Sequence, residues 1–238
     1  MQTPVTTAYA ELHCISNFTF LRGASRPEEL VRSAAELGYS AIAITDECSL
    51  AGVVKAHVEM HRQHQQSRNI RLLVGSEFQL TEDYKLVALA PDKTGYEDLS
   101  AFITLCRRRS EKGCYTLAID DLLLHLQHCL LILAPQTCSL QFTSSEQRHI
   151  IEVLQALPNL WIAMQRFNDG LDAQRHQTSY RLATLLDRPM VACGDVHMHC
   201  RQRKPLQDTL TAIRLKTPVQ QLGQQLLSNS ERYLRPLP

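Results

Sequence analysis

Five residues with metal-binding side chains, His13, Asp46, Glu77, Asp195 and His197, each stand at or just beyond the C-terminal end of a short apolar, strand-like run. In an α/β barrel that edge of the sheet is where active sites are built. A chain that carries carboxylates and imidazoles at such positions is expected to bring them together on one rim. The strand-like runs are Tyr9 to Cys14, Ser40 to Thr45, Arg71 to Phe78, Lys85 to Ala90, Cys129 to Ala134, Leu160 to Met164 and Pro189 to Cys193.

Helix-like segments lie between most of these runs. Ser25-Arg26-Pro27-Glu28 reads as a capping box with proline in the first turn, Leu30, Ala34 and Leu37 form an apolar stripe, and Gly38 stops the helix. Ser49 is the expected N-cap of a second helix over Leu50 to Gln65. Further helical patterns cover Tyr96 to Arg109, Ser145 to Leu157, Asp172 to Leu186 and Pro205 to Leu215. Strands alternating with helices at this spacing imply an α/β fold with mostly parallel pairing and right-handed crossovers. A closed or nearly closed barrel is the preferred architecture and an open doubly wound sheet the alternative, since periodicity alone does not separate them. From Thr217 to Pro238 the patterning fades, and Arg235-Pro236-Leu237-Pro238 reads as a linker or a domain boundary.

A chain of 238 residues that is 44% hydrophobic and 21% charged has material for one substantial core, so one barrel domain is expected. Lys and Arg total 25 against 24 Asp and Glu, which argues against a dedicated basic platform for nucleic acid; any such contact must be local. Cysteine is frequent, but Gln2-Thr3-Pro4-Val5-Thr6-Thr7 shows neither the basic nor the apolar region of a secretory leader. A reducing cytoplasm is the expected compartment, with Cys14, Cys129 and Cys193 acting as small buried hydrophobes. No apolar stretch is long enough to span a bilayer, and no membrane partner is expected.

The densest constellation is Cys193-Gly194-Asp195-Val196-His197-Met198-His199-Cys200, in which Asp195 and His197 point the same way if the backbone stays extended. Carboxylate plus imidazole suits Zn, Mn or Fe held for hydrolysis, and the plainer reading is a polar loop with buried thiols. His13 and Asp46 are ambiguous singly. Glu77 is stronger, because an acid inside Val74-Gly75-Ser76-Glu77-Phe78 needs a cation or hydrogen-bonding partner if it is buried. His57, His61 and His64 share a helix face, yet the surrounding Arg62, Gln63, Gln65 and Gln66 favour an ordinary solvated helix end. Of two basic clusters, Arg107-Arg108-Arg109 with Lys112 reads as a helix C-terminal turn, whereas Arg201, Arg203 and Lys204 follow the metal-like loop and are the candidates for a phosphate contact. No nucleophile elbow, phosphate-binding glycine loop or dinucleotide fingerprint is present, which removes the main support for serine hydrolases, nucleotide hydrolases and dehydrogenases.

Tyr9-Ala-Glu-Leu-His13, the run Phe18 to Leu30 (FTFLRGASRPEEL), Ala43-Ile-Thr-Asp46-Glu-Cys-Ser-Leu-Ala-Gly52, Gly194-Asp-Val-His197-Met-His and Leu206-Gln-Asp-Thr-Leu-Thr-Ala-Ile-Arg214 together resemble the N-terminal PHP (polymerase and histidinol phosphatase) domain of bacterial error-prone DNA polymerases of the polymerase III α-subunit type. The resemblance runs over nearly the whole chain. It implies a distorted seven-stranded (β/α)7 TIM-like barrel, whose active relatives hold up to three metal ions and hydrolyse phosphoesters, in some polymerases as a proofreading exonuclease. It assigns His13, Asp46, Glu77, Asp195 and His197 as metal ligands.

The same resemblance marks the departures. Ile15 stands where the first motif has a second His, Glu47 where a His follows the Asp, Lys85 where many relatives have His, and Pro135-Gln136 near the place of a Cys or His. Ile15 offers no lone pair and a protonated lysine cannot coordinate, so the expectation is a degenerate site: Zn or Mn at a partial centre, or no metal, with Lys85 neutralising Glu47 or Glu77. The implied role is structural, beside a polymerase core and DNA in replication and damage-tolerant translesion repair synthesis, with other mutagenesis and repair proteins as further partners. The division expected is a PHP domain over 1–216 and a C-terminal extension over 217–238 leading towards a polymerase palm that this sequence lacks, so the chain alone is not expected to polymerise DNA. The alternatives are a metal-dependent phosphoesterase or 3′–5′ exonuclease with a partial centre at His13, Glu77, Asp195 and His197, and a standalone interaction module.

Overall fold

The computed structural model describes residues 8–138 and 145–237. The leader reading and the outer bounds of the expected domains therefore rest on residues outside the described ones. The elements in order are β1 (Ala10–Glu11), α1 (Pro27–Glu36), β2 (Ala41–Ile44), α2 (Val53–Gln65), β3 (Arg71–Gln79), β4 (Tyr84–Ala90), α3 (Lys93–Arg108), α4 (Asp121–His125), β5 (Leu130–Pro135), α5 (Ser145–Ala156), β6 (Leu160–Met164), α6 (Asp172–Leu186), β7 (Met190–Ala192) and α7 (Lys204–Leu215).

The strands form one seven-stranded sheet in sequence order. A doubly wound sheet reverses its strand order partway across, so this order excludes that alternative. The sheet curls into a distorted TIM-like half-barrel, and its two edges meet just beyond the strands. There Ile15 N–H donates to Val196 O at 2.9 Å and Val196 N–H to His13 O at 2.9 Å. All strand pairs are parallel except those of β4, which is antiparallel to both neighbours. The cause is connection length: Leu80 to Asp83 cannot make the crossover of about a dozen residues that a parallel partner requires.

Period-two alternation sorts the strand side chains. Ala43, Val87, Leu89, Ile132, Ala134, Ala163 and Cys193 form one cluster that fills the barrel. Leu86, Leu131 and Phe78 point outward into the larger core with Leu99, Phe102, Leu154 and Leu182 from the helices. A third cluster joins Leu30, Val31 and Ala34 of α1 to Ile42 and Ile44 of β2. Lys85 shares the inward parity of Val87 and Leu89, and the β3–β4 register sets Glu77 opposite Val87. An acid and a lysine on adjacent strands thus face the same barrel rim.

Several local readings change. The N-cap of α1 is Arg26, whose N–H donates to Glu29 Oε2 at 2.9 Å, while the Ser25 hydroxyl sits 2.8 Å from His199 Nδ1. Ser49 does not cap α2, because its Oγ accepts from Ala51 N at 3.2 Å in a turn that precedes a helix starting at Val53. The five-residue α4 had no periodic signal long enough to read. Residues after α7 fold back on the barrel: Leu234 is buried in the core beside Leu30 and Ile42, and the Tyr39 hydroxyl donates to Arg235 O at 2.7 Å. Irregular backbone has no period, so its packing leaves no pattern in sequence. Cys14, Cys129 and Cys193 are buried, and all eight cysteines are free. No helix among the described residues is long and apolar enough to cross a membrane.

Gly75 lies where β3 passes closest to β4 and β2. A Cβ there would stand 2.6 Å from Leu89 Cδ2, 2.8 Å from Ala88 O and 3.0 Å from Thr45 Cγ2. Gly75→Ala is expected to lower unfolding stability by about 1–3 kcal/mol, the usual cost of overpacking. Urea denaturation checks this, and an unchanged midpoint would contradict the close approach.

Candidate metal centre

The chain leaves β1 through His13 and turns tightly from Ser16 to Gly23. A Cβ at Gly23 would lie 2.0 Å from Ser16 O, so this turn closes only on glycine. The turn delivers Arg22 to the rim. Asp46 and Glu47 follow β2, Glu77 is on β3, Lys85 on β4, and Asp195 and His197 follow β7. Asp195 itself adopts a left-handed backbone with φ 46°, a conformation that Asp tolerates better than most residues.

Three of the expected ligands converge. His13 Nε2 lies 2.6 Å from Glu77 Oε2 and 3.6 Å from Asp195 Oδ1, and one donor atom from each residue falls within 4.8 Å of the others. His197 joins at the side, with Nε2 3.1 Å from Asp195 Oδ1. Asp46 is diverted. Its two oxygens accept from Ser16 N and Oγ, both at 2.7 Å, and from Thr19 N at 3.1 Å and Oγ1 at 2.7 Å. It pins the β1–α1 turn.

The outward oxygens of the converging acids are held by side-chain cations. Arg22 Nη1 is 2.7 Å from Glu77 Oε1 and 2.5 Å from Glu47 Oε2, and Lys85 Nζ is 3.3 Å from Glu77 Oε1. The Arg232 guanidinium pairs with Asp195 Oδ2 and stacks over the Phe167 ring, 3.9 Å from its centroid. Three cations, Arg22, Lys85 and Arg232, thus face three carboxylates, Glu47, Glu77 and Asp195. Glu47 is turned outward, where it also accepts from the Tyr115 hydroxyl at 3.0 Å. Ile15 is wholly buried.

Burial alone would raise the Glu77 pKa, but Arg22, Lys85 and the His13 hydrogen bond outweigh it and hold the carboxyl well below its ordinary value. Burial lowers Lys85 to about 8 against the pull of Glu77, so it remains a cation at neutral pH. Burial also lowers both imidazoles; for His197 the fields of Arg22 and Lys85 add to it, and for His13 burial prevails over Glu77. Both rings are therefore neutral. Their Nδ1 atoms are buried without a hydrogen-bond partner, whereas a metal-ligating histidine ordinarily anchors its second nitrogen.

These observations test what the residues can hold. A cluster of three ions does not fit: Ile15 supplies no donor, Asp46 is committed to the turn, and the outer carboxylate oxygens already have protein cations. His13, Glu77 and Asp195 offer a mixed nitrogen and oxygen set close enough to share one divalent ion, with His197 Nε2 beside Asp195 but outside that group. To bind it, His13 must give up its hydrogen bond to Glu77.

The residues considered for phosphate contact each hold a carboxylate instead. Arg201 pairs with Glu231 at 2.6 Å and lies over Tyr233, Arg203 pairs with Glu29, and Lys204 with Asp208. Gln136 binds backbone, donating its N–H to Asp83 O at 2.7 Å. Sequence reasoning missed Arg22 and Arg232. Arg22 lies within the FTFLRGASRPEEL run, and a buried Glu77 calls for a cation, but nothing in the sequence says which arginine answers. It also missed Glu11, a buried acid that accepts from Gly194 N at 2.7 Å and His13 N at 3.0 Å and so ties the two sheet edges together.

The family profile described as the PHP domain matches residues 11–140. An error-prone DNA polymerase of Methylococcus capsulatus is 47% identical over 238 residues, covering 100% of this chain and 22% of the relative. That of Teredinibacter turnerae is 48% identical over 228 residues, covering 96% and 21%. The chain spans about a fifth of the length of these curated relatives. Among solved structures, an amidohydrolase from Chromobacterium violaceum with bound sulfate and no metal aligns with a TM-score of 0.56 at 14% identity, over 80% of this chain and 88% of that one. A Bifidobacterium adolescentis structure described as a metal-dependent phosphoesterase gives 0.50 at 17%, with the same coverage. At such identities the likeness is one of fold.

Glu77→Gln leaves Arg22 and Lys85 facing a neutral amide, and is expected to cost about 3–5 kcal/mol at neutral pH, as removal of one partner from a buried ion pair does. The sign with pH follows from a lowered carboxyl. The stabilisation is complete above its ordinary value near pH 4.5 and is lost as the pH falls towards the folded-state value. Denaturant unfolding at pH 7 and pH 3 should therefore show a large gap between wild type and variant that shrinks in acid. A gap that stays constant would contradict the pairing.

Proposed function

The chain belongs to the PHP domain family, and on that premise we propose that it serves as the N-terminal organising domain of an error-prone DNA polymerase, with a charge-paired centre in place of a metal cluster. The observation that carries this reading is the occupation of Glu77 and Asp195 by Arg22, Lys85 and Arg232. Arg22 and Lys85 share Glu77 Oε1 and Arg232 takes Asp195 Oδ2, oxygens that a second or third ion would need.

A structural role also needs a face for the remaining polymerase, and α7 offers one. It buries Gln207 and Thr211 while leaving Leu206, Ile213 and Leu215 exposed, the reverse of a helix packed only on its own domain. The relatives are roughly five times longer than this chain, which supports polymerase core domains as the occupant of that face. In this reading residues 1–216 are the PHP domain and 217–238 the extension towards the palm, where nucleotidyl transfer takes place. Replication and translesion repair synthesis supply the setting, DNA and other repair proteins the partners, and the cytoplasm the compartment.

A second reading is a phosphoesterase or exonuclease retaining one ion, favoured by the convergence of His13, Glu77 and Asp195. His13, Glu77, Asp195 and His197 would hold the ion, and it would supply Lewis acidity and a water of lowered pKa.

Elemental analysis separates the two. Protein purified without chelator or affinity metal, then challenged with excess Zn or Mn and desalted, is expected to retain no stoichiometric ion and to leave a phosphodiester substrate intact. One retained equivalent, lost in Asp195→Asn together with hydrolysis, would replace the structural reading with the enzymatic one.

A further inference from the structure

The solvent face of α2 carries a second pair of convergent histidines, remote from the acids of the rim. His57 and His61 stand one helical turn apart on the same face, where i and i+4 side chains are neighbours. The two Nε2 atoms share a hydrogen bond of 2.9 Å, with ring centroids 4.4 Å apart and planes at 86°, so an ion bound by both takes the place of the proton between them. Both residues are exposed, so an ion reaches them without any rearrangement of the fold.

The third histidine of the stripe is committed elsewhere. His64 Nε2 donates to Ile70 O at 2.6 Å, which leaves a two-nitrogen chelate. The helix beneath is fixed from its inner side. Buried Glu59 accepts from Gln63 Nε2 at 2.8 Å and from Arg32 Nε of α1 at 3.1 Å, so the two imidazoles project from a rigid support.

The spacing bears on the choice of ion. With metal–nitrogen bonds of about 2.0–2.1 Å, two ligands at a tetrahedral centre lie about 3.3 Å apart, and two at right angles about 2.9 Å. The hydrogen-bonded separation lies near both values, and the tetragonal nitrogen chemistry of Ni(II) and Cu(II) asks for the smaller adjustment. We propose that His57 and His61 form a bidentate surface site for a right-angle, nitrogen-binding divalent transition ion of the Ni(II) or Cu(II) type, with water completing the coordination.

Ni(II) is the better probe, because free thiols such as that of exposed Cys114 reduce Cu(II). Titrating the isotope-labelled 238-residue chain with Ni(II) should broaden amide signals around positions 54–61 in a saturable, equimolar manner. Calorimetry should show tighter binding of Ni(II) than of Zn(II). His57→Ala and His61→Ala should each weaken Ni(II) binding at least tenfold, and both fold, as circular dichroism will verify, because alanine favours an exposed helix position. His64→Ala and Asp195→Asn should leave the α2 broadening in place. Absence of broadening on α2, its survival in His57→Ala or His61→Ala, or its loss in His64→Ala or Asp195→Asn would each overturn the assignment.

Discussion

A carboxylate sealed inside a barrel must be met by positive charge or by donors, and Glu77 is sealed almost completely. Its three partners come from two strands or their loops: His13 and Arg22 from the exit of β1, and Lys85 from β4. The loop geometry around the rim follows from satisfying this one group. Arg22 reaches it only because the turn from Ser16 to Gly23 is tight, and that turn is held by Asp46. Arg22 in turn fixes Glu47, and Glu47 fixes Tyr115. Removing the central anion would leave a chain of side chains whose orientation has lost its cause.

A cluster of divalent ions and a set of buried cations place positive charge at the same carboxylates. The protein cations differ in being tethered, so they reach the outer oxygens from the surrounding strands rather than the axis. The inner nitrogen and oxygen atoms are thereby left facing one another. His13, Glu77 and Asp195 thus stay close enough to share one ion, with the His197 ring beside Asp195.

How much of this was legible depends on how each piece is encoded. Strand and helix positions were readable because apolar periodicity of two and of 3.6 residues survives in the sequence, and α6 runs over the same residues as its pattern. Lys85 was recognisable as a partner for Glu47 or Glu77, and the β3–β4 register selects Glu77. The antiparallel run of β4 follows from the brevity of Leu80 to Asp83, a length argument that alternation of elements obscured. Arg232 was out of reach, since it comes from irregular backbone far along the chain. The capping role given to Ser25 failed for a tertiary reason: its hydroxyl found His199, and Glu29 closed the helix start from the other side.

The fold-back of the final residues has a mechanical side. Arg232 holds Asp195 in the rim, Tyr233 bridges to Met198, Leu234 is buried beside α1, and Arg235 O receives the Tyr39 hydroxyl. Four consecutive residues thus rivet this strap to the barrel, each by a different kind of contact. A pull along the strap would not be absorbed by slack chain. It would load Asp195 and the seam between the sheet edges directly, making the barrel centre the stress-bearing point.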